Sequence, residues 1–286
     1  MLAVSGGVDS MVLLDMAVAV RSDSLTFIVA HFDHGIRDDS VQDEQLVNAV
    51  AVAHGLEFIT AAGQLGPGAS ESVARQARYK FLQTVRQQQS ARAIITAHHQ
   101  DDLLETAAIN LLRGTKWQGI AALGSSNILV RPLLDYPKSQ ILDYAVTNSI
   151  EWREDSTNCD VRYTRNHIRH NILPRMDSAQ KEQFLMLVLK IRAQAFELQQ
   201  LGRSFIDQNI YDNFIQKSLF RQLPLTVGHE ITAQWLRLHG VSFDTKNLER
   251  IVDGLMTLRN GKKIIVNKKA YFEVLGKDLA LRTIER

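Results

Sequence analysis

Cysteine is almost absent from this sequence, and several other common features are missing too. The single cysteine, Cys159, excludes a disulfide framework, a Cys-x-x-Cys redox pair and a multi-cysteine zinc or iron–sulfur site, which favours a reducing compartment. No run of 18 apolar residues occurs, and no basic leader segment precedes the first apolar stretch. Internal repeats, low-complexity segments and heptad arrays are also absent. These absences predict a soluble, cytoplasmic globular protein without a membrane partner.

The size of the chain allows a substantial core, and its charge is unevenly distributed. The 286 residues, 45% of them hydrophobic, suffice for one large or two moderate domains. Residues 1–160 hold 12 Lys and Arg against 19 Asp and Glu, a net charge of −7, whereas residues 161–286 hold 21 against 12, a net charge of +9. The basic second part favours a polyanionic partner, although many helical domains are mildly basic without one.

A glycine-rich hexapeptide, residues 5–10 (Ser-Gly-Gly-Val-Asp-Ser), stands between an apolar strand and a helical apolar pattern. Adjacent glycines permit a sharp turn close to a ligand, and the following helix offers its N-terminal N–H groups to an anion. The loop lacks the Lys-Ser/Thr of a Walker A motif and is not G-x-G-x-x-G. The hydroxyls of Ser5 and Ser10 and the carboxylate of Asp9 suit a pyrophosphate with its metal ion. The alternative is an ordinary strand-to-helix turn capped by Ser5.

A second polar cluster follows the apolar run at residues 93–97. Asp102 and Glu105 are spaced i, i+3 and share a face of the predicted helix, with His98 just before it. These carboxylates either favour a helix N-terminus or bind a cation and handle protons. Two histidines and three carboxylates within eight residues favour the second interpretation. Neither H-E-x-x-H spacing nor cysteine supports a zinc site here.

Two further stretches are candidates for binding. Arg75 and Arg78 lie one turn apart on a predicted helix over residues 70–89, where they could face one anion or simply be solvated. Residues 154–169 mix acids, arginines, an aromatic residue and amides with very little apolar content. Ordering such a segment is costly unless a ligand or a hydrogen-bond network uses it.

The strand and helix patterns predict the fold. Five short strands alternate with helices up to residue 150, which predicts an α/β domain with a parallel, doubly wound five-stranded sheet and right-handed crossovers. A smaller, mainly helical domain ending in a β-hairpin over residues 261–275 follows. We predict domains at 1–177 and 178–286, with the boundary near Asp177 or within the helix that follows. Four lysines are expected at one end of that hairpin: Lys262, Lys263, Lys268 and Lys269.

The motifs carry a family resemblance. Residues 5–10 resemble the S-G-G-x-D-S fingerprint of the PP-loop ATP pyrophosphatases, whose fold is Rossmann-like. Together with the patterns at residues 31–37, 74–82, 97–106, 113–114 and 154–169, they resemble the tRNA(Ile)-lysidine synthase family over about the first 175 residues. The resemblance implies that ATP adenylates the C2 oxygen of the wobble cytidine in the CAU anticodon of tRNA(Ile). The ε-amine of free L-lysine then displaces AMP, which leaves lysidine, AMP and pyrophosphate.

The resemblance also implies roles for individual residues. Residues holding ATP and Mg2+ are Ser5, Gly6, Gly7, Val8, Asp9 and Ser10, with Asp9 as the metal ligand and Asp33 and His34 near the nucleotide. Catalytic candidates are Asp9, His98, Asp102 and Glu105. Substrate-binding candidates are Arg75, Arg78, Asp102, Glu105, Arg113, Asn158, Arg165, Asn166 and Arg169. Lysine's amine has a pKa of about 10.4 in water, so the site must favour its free base.

Two other functions stay open at this point. A 2-thiocytidine synthase of the same superfamily would need cysteine pairs or an iron–sulfur cluster, which a single cysteine disfavours. A non-catalytic nucleotide-binding protein would explain the glycine loop but would leave Asp102 and Glu105 without a purpose. The sequence also leaves open whether the chain forms a homodimer.

Overall fold

The computed structural model describes residues 1–35, 40–63, 66, 70–154 and 164–284, except for the side chain of Glu71. The chain divides into two compact units, Met1–Arg192 and Ala193–Arg286. The division lies inside a long helix, Ser178–Asn209. Within the described ranges no helix is both long enough and apolar enough to cross a membrane.

The first unit is built on a parallel sheet of five strands in the order β3-β2-β1-β4-β5. Its elements are β1 (Leu2–Ala3), α1 (Val8–Ala19), β2 (Ile28–Asp33), α2 (Ser40–Ala53), β3 (Glu57–Ala62), α3 (Glu71–Gln88), β4 (Ile94–Thr96), α4 (Gln100–Leu112), α5 (Trp117–Ile120), β5 (Leu129–Val130), α6 (Lys138–Thr147) and α7 (Thr164–His167). A π-helical turn, Ile168–Ile172, and a 3-10 turn, Leu173–Arg175, follow α7. The predicted fold class is confirmed.

Separate apolar clusters pack within this unit because the strands of a parallel sheet carry apolar side chains that must be covered on both faces. One cluster includes Leu2, Leu14 and Ile141, from β1, α1 and α6, and another includes Leu82 and Ile94, from α3 and β4. The strand order reverses between β1 and β4, the first and fourth strands along the chain. Open α/β sheets bind ligands in the crevice at the carboxyl ends of such strands. The two polar motifs of the sequence, residues 5–10 and 98–105, directly follow these two strands.

The second unit combines helices with an antiparallel four-stranded sheet in the order β6-β9-β8-β7. Its elements are the end of α8 (Ser178–Asn209), β6 (Phe214–Gln216), α9 (Lys217–Gln222), α10 (Leu225–Leu238), α11 (Thr245–Thr257), β7 (Lys263–Asn267), β8 (Ala270–Leu275) and β9 (Asp278–Thr283). Trp235 of α10 packs edge-on against Phe272 of β8, with ring centroids 5.2 Å apart, in the core of this unit. The predicted hairpin is present as β7 and β8, and β6 and β9 extend it.

The expected position of the hairpin lysines is wrong. Lys262 and Lys263 lie at the start of β7, whereas Lys268 and Lys269 lie in the turn before β8. A strand of five residues separates the two pairs by about 16 Å. All four are exposed, and Lys263 lies over the Tyr271 ring, 4.7 Å from its centroid. The hairpin therefore carries two basic ends rather than one basic tip.

Candidate active site

The glycine-rich hexapeptide forms the loop between β1 and α1. Gly6 has φ +91°, a left-handed conformation that favours glycine, and Gly7 is the N-cap of α1. The Ser10 hydroxyl donates to the Gly7 carbonyl at 2.8 Å and lies 3.2 Å from the Ser5 hydroxyl. The Val8 side chain is buried in the core, so Val8 contributes only its backbone to the loop. Because the first N–H groups of a helix lack partners within it, the loop can offer donors to an anion.

Two residues that sequence reasoning did not assign to the site brace this loop. The Arg153 N–H donates to the Gly6 carbonyl at 3.0 Å, and Arg153 Nε donates to Asp43 Oδ1 at 2.8 Å. Asp43 is buried against Gly6, where an added Cβ would lie 3.1 Å from the Asp43 Cβ. Sequence reasoning did not find this pair, because a partner 110 residues away leaves no local signal.

Asp9, in the first turn of α1, contacts a lysine that sequence reasoning missed. Lys138 Nζ lies 2.6 Å from Asp9 Oδ1, and both side chains are about one-third exposed. The other carboxylate oxygen, Oδ2, lies 3.7 Å from Nε2 of the buried His99. Asp9 is therefore accessible and stands between two cationic or protonatable groups.

The start of α4 gathers the second polar motif around His99. The His99 N–H donates to Asp102 Oδ2 at 3.0 Å, which closes the N-terminus of the helix. The His99 ring lies 3.5 Å from Asp102 and 3.6 Å from Asp101. Burial opposes ionisation of Asp102, but His99, His98 and the His99 N–H outweigh it and lower the pKa of Asp102. Asp102 is therefore charged in the folded chain, and the structure does use it as a helix-capping residue.

Glu105 lies one turn further along α4 and is almost completely buried, with its side chain 1% exposed. Arg169 holds it with two charge-assisted hydrogen bonds, Nε to Oε1 at 2.5 Å and Nη2 to Oε2 at 3.0 Å. Arg169 Nη2 also lies 3.5 Å from Asp102 Oδ1, and Arg165 Nε lies 3.6 Å from Glu105 Oε2. Burial raises the pKa of Glu105, and hydrogen bonding to Arg169 opposes that rise. Two predicted carboxylates and two predicted arginines thus form one cluster.

His98 lies at the carboxyl end of β4 among further arginines. Burial lowers the pKa of His98 to about 3, with Arg131 and Arg78 adding to the effect and Asp102 opposing it. Its Nδ1 lies 2.8 Å from the Thr96 hydroxyl. His98 is therefore uncharged at neutral pH. Burial also lowers the pKa of Arg78.

Arg75 and Arg78 are not merely solvated. Their guanidinium carbons lie 4.9 Å and 5.6 Å from the centroid of the Tyr79 ring, within the range of cation–π contacts. Both arginines also lower the pKa of His98, which indicates that they face the same region as the end of β4. That they bind one anion stays a prediction.

Asp33 and His34 lie at the carboxyl end of β2. Asp33 Oδ1 accepts from the Gly35 N–H at 2.8 Å, and Oδ2 accepts from the Ser40 hydroxyl at 2.9 Å. The His34 ring packs edge-on against Phe32, with centroids 5.0 Å apart. Asp33 thus holds Gly35 and Ser40 close to this edge of the sheet.

Three predicted substrate residues lie differently from the rest. Arg113 is exposed at the C-terminal end of α4, about 16 Å along the helix from Asp102, and the structure does not bring it to the cluster. Asn166 is buried on α7, next to Arg165. Asn158 lies outside the described residues.

The donor set at Asp9 fits a magnesium ion that comes with a nucleotide. Across the described residues no group of three His, Cys, Asp or Glu side chains could hold a metal by itself. Mg2+ is usually bound by one or two carboxylates together with substrate phosphates and water, so a single accessible carboxylate beside an anion-binding loop suffices. The edge of the sheet thus joins an anion-binding loop, one accessible carboxylate and a cluster of buried carboxylates and arginines.

Comparison with curated proteins finds relatives along most of the chain. A protein named tRNA(Ile)-lysidine synthase from Exiguobacterium sibiricum is 38% identical over 178 residues, which cover 61% of this chain and 42% of the relative. Proteins of the same name from Thermotoga maritima and Coxiella burnetii are 32% and 31% identical and cover 77% and 87% of this chain, and 54% and 58% of the relatives. The chain thus spans about half the length of the curated relatives it matches.

Comparison with solved structures supports the fold alone. The U34-tRNA thiolase NcsA from Methanococcus maripaludis, solved with its [4Fe-4S] cluster, superposes with a TM-score of 0.55 at 17% identity, covering 67% of this chain and 71% of that one. Comparison with protein families matches residues 1–176 to the PP-loop domain family, an assignment that implies the use of ATP. With the loop of residues 5–10 placed at the switch point of a five-stranded parallel sheet, this chain belongs to the PP-loop domain family.

Proposed function

We propose that this protein is a tRNA(Ile)-lysidine synthase. In the reaction, ATP adenylates the C2 oxygen of the wobble cytidine in the CAU anticodon of tRNA(Ile), with release of pyrophosphate. The ε-amine of lysine then displaces AMP, which forms the carbon–nitrogen bond of lysidine. The names of the curated relatives and the PP-loop assignment support the reaction class. We infer the roles of the residues and the steps from the geometry of the site.

In the first half-reaction the loop of residues 5–10 binds the phosphates. Its glycines let the backbone come close to the phosphates, and the N-terminus of α1 contributes N–H groups and the positive end of the helix dipole. Asp9 would hold Mg2+, and the bound ion would neutralise part of the phosphate charge. Asp43 and Arg153 keep the loop in shape through their contacts with Gly6. Adenylation converts a poor leaving group, a carbonyl-type oxygen, into AMP.

In the second half-reaction the cluster on α4 receives lysine. Free lysine carries an ε-ammonium and a carboxylate, and the cluster offers charges complementary to both. Asp102 and Glu105 would bind the ε-ammonium, while Arg165 and Arg169 would bind the carboxylate. Because Arg169 already holds Glu105, lysine would share this carboxylate rather than fill an empty acidic pocket. The uncharged His98 can accept a hydrogen bond from the amine.

The observation that carries this proposal is that the two polar motifs follow adjacent strands. The phosphate loop and the start of α4 come directly after β1 and β4, and His99 lies within 4 Å of both Asp9 and Asp102. One reaction can therefore use both motifs. A non-catalytic nucleotide-binding protein would need only the first. A thiolase would need more sulfur ligands than the single cysteine of this chain supplies.

The test is nucleoside mass spectrometry after incubation of the protein with ATP, lysine and a tRNA bearing a CAU anticodon. We expect lysidine in the digest, stoichiometric AMP, and no lysidine when lysine is omitted. An Asp9→Asn variant, folded as judged by circular dichroism, should form neither adenylated tRNA nor lysidine. Normal lysidine formation by that variant would remove Asp9 from the mechanism, and absence of lysidine with the unaltered protein would overturn the proposed function.

A further inference from the structure

Lys138 is the first residue of α6 and has two separate contacts in the site. Its backbone N–H donates to Asp101 Oδ2 at 2.7 Å, and its side-chain Nζ lies 2.6 Å from Asp9 Oδ1. The backbone contact fixes the start of α6 against the start of α4. The side chain is about one-third exposed, and it extends from this fixed point to the phosphate loop. The backbone contact of Lys138 with Asp101 is thus independent of the position of its ammonium group.

The loop itself contains no cation. Residues 5–10 lack the lysine that a Walker A loop directs at the β- and γ-phosphates, and the one charged side chain in them, Asp9, is negative. A triphosphate that approached this loop would meet a carboxylate unless a cation neutralised it. Lys138 already neutralises that carboxylate from outside the loop.

We propose that Lys138 is the phosphate-binding lysine of this site. Without nucleotide its ammonium pairs with Asp9. With nucleotide, Asp9 would hold the magnesium ion, and the Lys138 ammonium would pair with an oxygen of the β- or γ-phosphate. No bond forms or breaks in this exchange, since one ion pair replaces another. The inference rests on the proposed function because it takes ATP as the ligand.

Only a small movement is required. Asp9 lies in the first turn of α1, the same turn whose N–H groups face an incoming anion, so the phosphates would lie within a few ångströms of the present position of Nζ. The four-carbon stem of lysine has several low-energy rotamers that keep the backbone in place. Since the contact to Asp101 uses the backbone N–H, it survives any change of the side chain.

The test is titration calorimetry with ATP and with AMP, using the full chain. Lys138→Gln should weaken ATP binding about 10- to 100-fold, the value of a single charge-assisted hydrogen bond, and leave AMP binding unchanged. Lys138→Arg should retain most of the affinity for ATP. Arg92→Gln removes the same charge just before β4, at the opposite edge of the sheet, and should have no effect on either ligand.

A double variant separates phosphate binding from simple neutralisation of Asp9. In an Asp9→Asn background without magnesium, Lys138→Gln should still weaken ATP binding about 10-fold or more, because its partner is the phosphate. An unchanged affinity in that background would overturn the inference and leave Lys138 as a counter-ion of Asp9 only. Failure of the unaltered protein to bind ATP would overturn the inference together with the proposed use of ATP. Thermal unfolding of each variant checks that its fold is intact.

Discussion

The guanidinium of Arg169 lies against the carboxylate of Glu105, with its Nε and Nη2 on separate oxygens at 2.5 Å and 3.0 Å. The two residues are 64 positions apart in the chain, and the carboxylate is almost fully buried. A carboxylate in this position is tolerated only while it is paired, because an isolated buried charge is strongly unfavourable. This pair therefore ties α4 to the π-helical turn at Ile168–Ile172 and keeps the candidate lysine site charged.

Removing Arg169 should destabilise the first unit. We expect Arg169→Met to lower the free energy of unfolding by roughly 3 kcal/mol, because it leaves Glu105 buried with only the more distant Arg165. Arg169→Lys should lower it less, since it keeps the charge but cannot make the two-pronged contact. Urea denaturation followed by fluorescence measures both.

Arg21→Met is the matched control for this change. Arg21 is exposed and donates to the carbonyl of His54, so its replacement should cost less than about 1 kcal/mol. Equal destabilisation by the two substitutions would show that Glu105 does not depend on Arg169.

Glu105→Gln should affect lysine far more than ATP. The substitution keeps the size of the side chain and removes the charge that we propose to bind the ammonium group. We expect the Michaelis constant for lysine to rise at least 10-fold and that for ATP to change less than 3-fold, with adenylated tRNA accumulating, because a hydrogen bond to a charged group contributes about 1.5 kcal/mol or more. Steady-state kinetics and mass spectrometry of the tRNA provide the measurements. Parallel loss of ATP consumption and lysine use would place Glu105 in the scaffold instead.

The uncharged state of His98 predicts a pH dependence of stability. The unfolded chain binds a proton at His98 below the ordinary pKa of 6.5, whereas the folded chain does not until about pH 3. Stability is therefore fully present above pH 6.5 and falls as the pH drops from 6.5 towards 3. The wild-type protein should lose about 2 kcal/mol between pH 7 and pH 5 through this residue.

A His98→Asn variant should lack this part of the acid sensitivity. The measurement is urea denaturation of both proteins at pH 7 and pH 5. The free energy of unfolding should fall less in the variant than in the unaltered protein when the pH drops from 7 to 5. An equal fall in both proteins would mean that His98 titrates normally in the folded chain.

Gly6→Ala should disturb the phosphate loop through backbone strain and through a steric clash. The residue has φ +91°, and the new methyl group would lie 3.1 Å from the Asp43 Cβ. We expect a loss of roughly 2 kcal/mol in unfolding free energy and at least 10-fold weaker ATP binding. Gly55→Ala is the control, because Gly55 has φ +63° with nothing within 4 Å of the added Cβ. It should cost only the backbone strain, about 1 kcal/mol, and leave ATP binding unchanged.

The hairpin lysines should contribute to binding of tRNA through its phosphates. Because Lys262 and Lys263 lie at one end of β7 and Lys268 and Lys269 at the other, we expect the two pairs to act on different phosphates. Changing either pair to glutamine should weaken tRNA binding and reduce the slope of log K against log salt concentration by about 0.9 for each phosphate that is no longer neutralised. Filter-binding titrations between 50 and 200 mM salt, roughly the range over which such effects are large, measure the slope. Unchanged affinity and slope in both double variants would make these lysines a solvated edge.

Sequence reasoning reached the fold, and it named side chains that the structure brings together at the candidate site, because the signals for both are local. Alternation of short apolar strands with amphipathic helices predicted the five-stranded parallel sheet, and the glycine pair at Gly6 and Gly7 predicted the phosphate loop. The adjacency of both motifs to strand ends placed them at one edge. Local spacing failed for Lys262 and Lys268, because a strand between them carries them to opposite ends.

The sequence by itself determined the elements, their order and the positions of the two polar motifs after their strands, since strand and helix periodicity and glycine conformation are properties of neighbouring residues. Only the tertiary structure decided which charges meet. The pairs Lys138 with Asp9, 129 positions apart, and Arg153 with Asp43, 110 apart, form because α1, α2, α6 and the segment after α6 pack around one apolar cluster. No local pattern records such a contact, because its free energy depends on side chains that become neighbours only when the sheet and its helices have assembled.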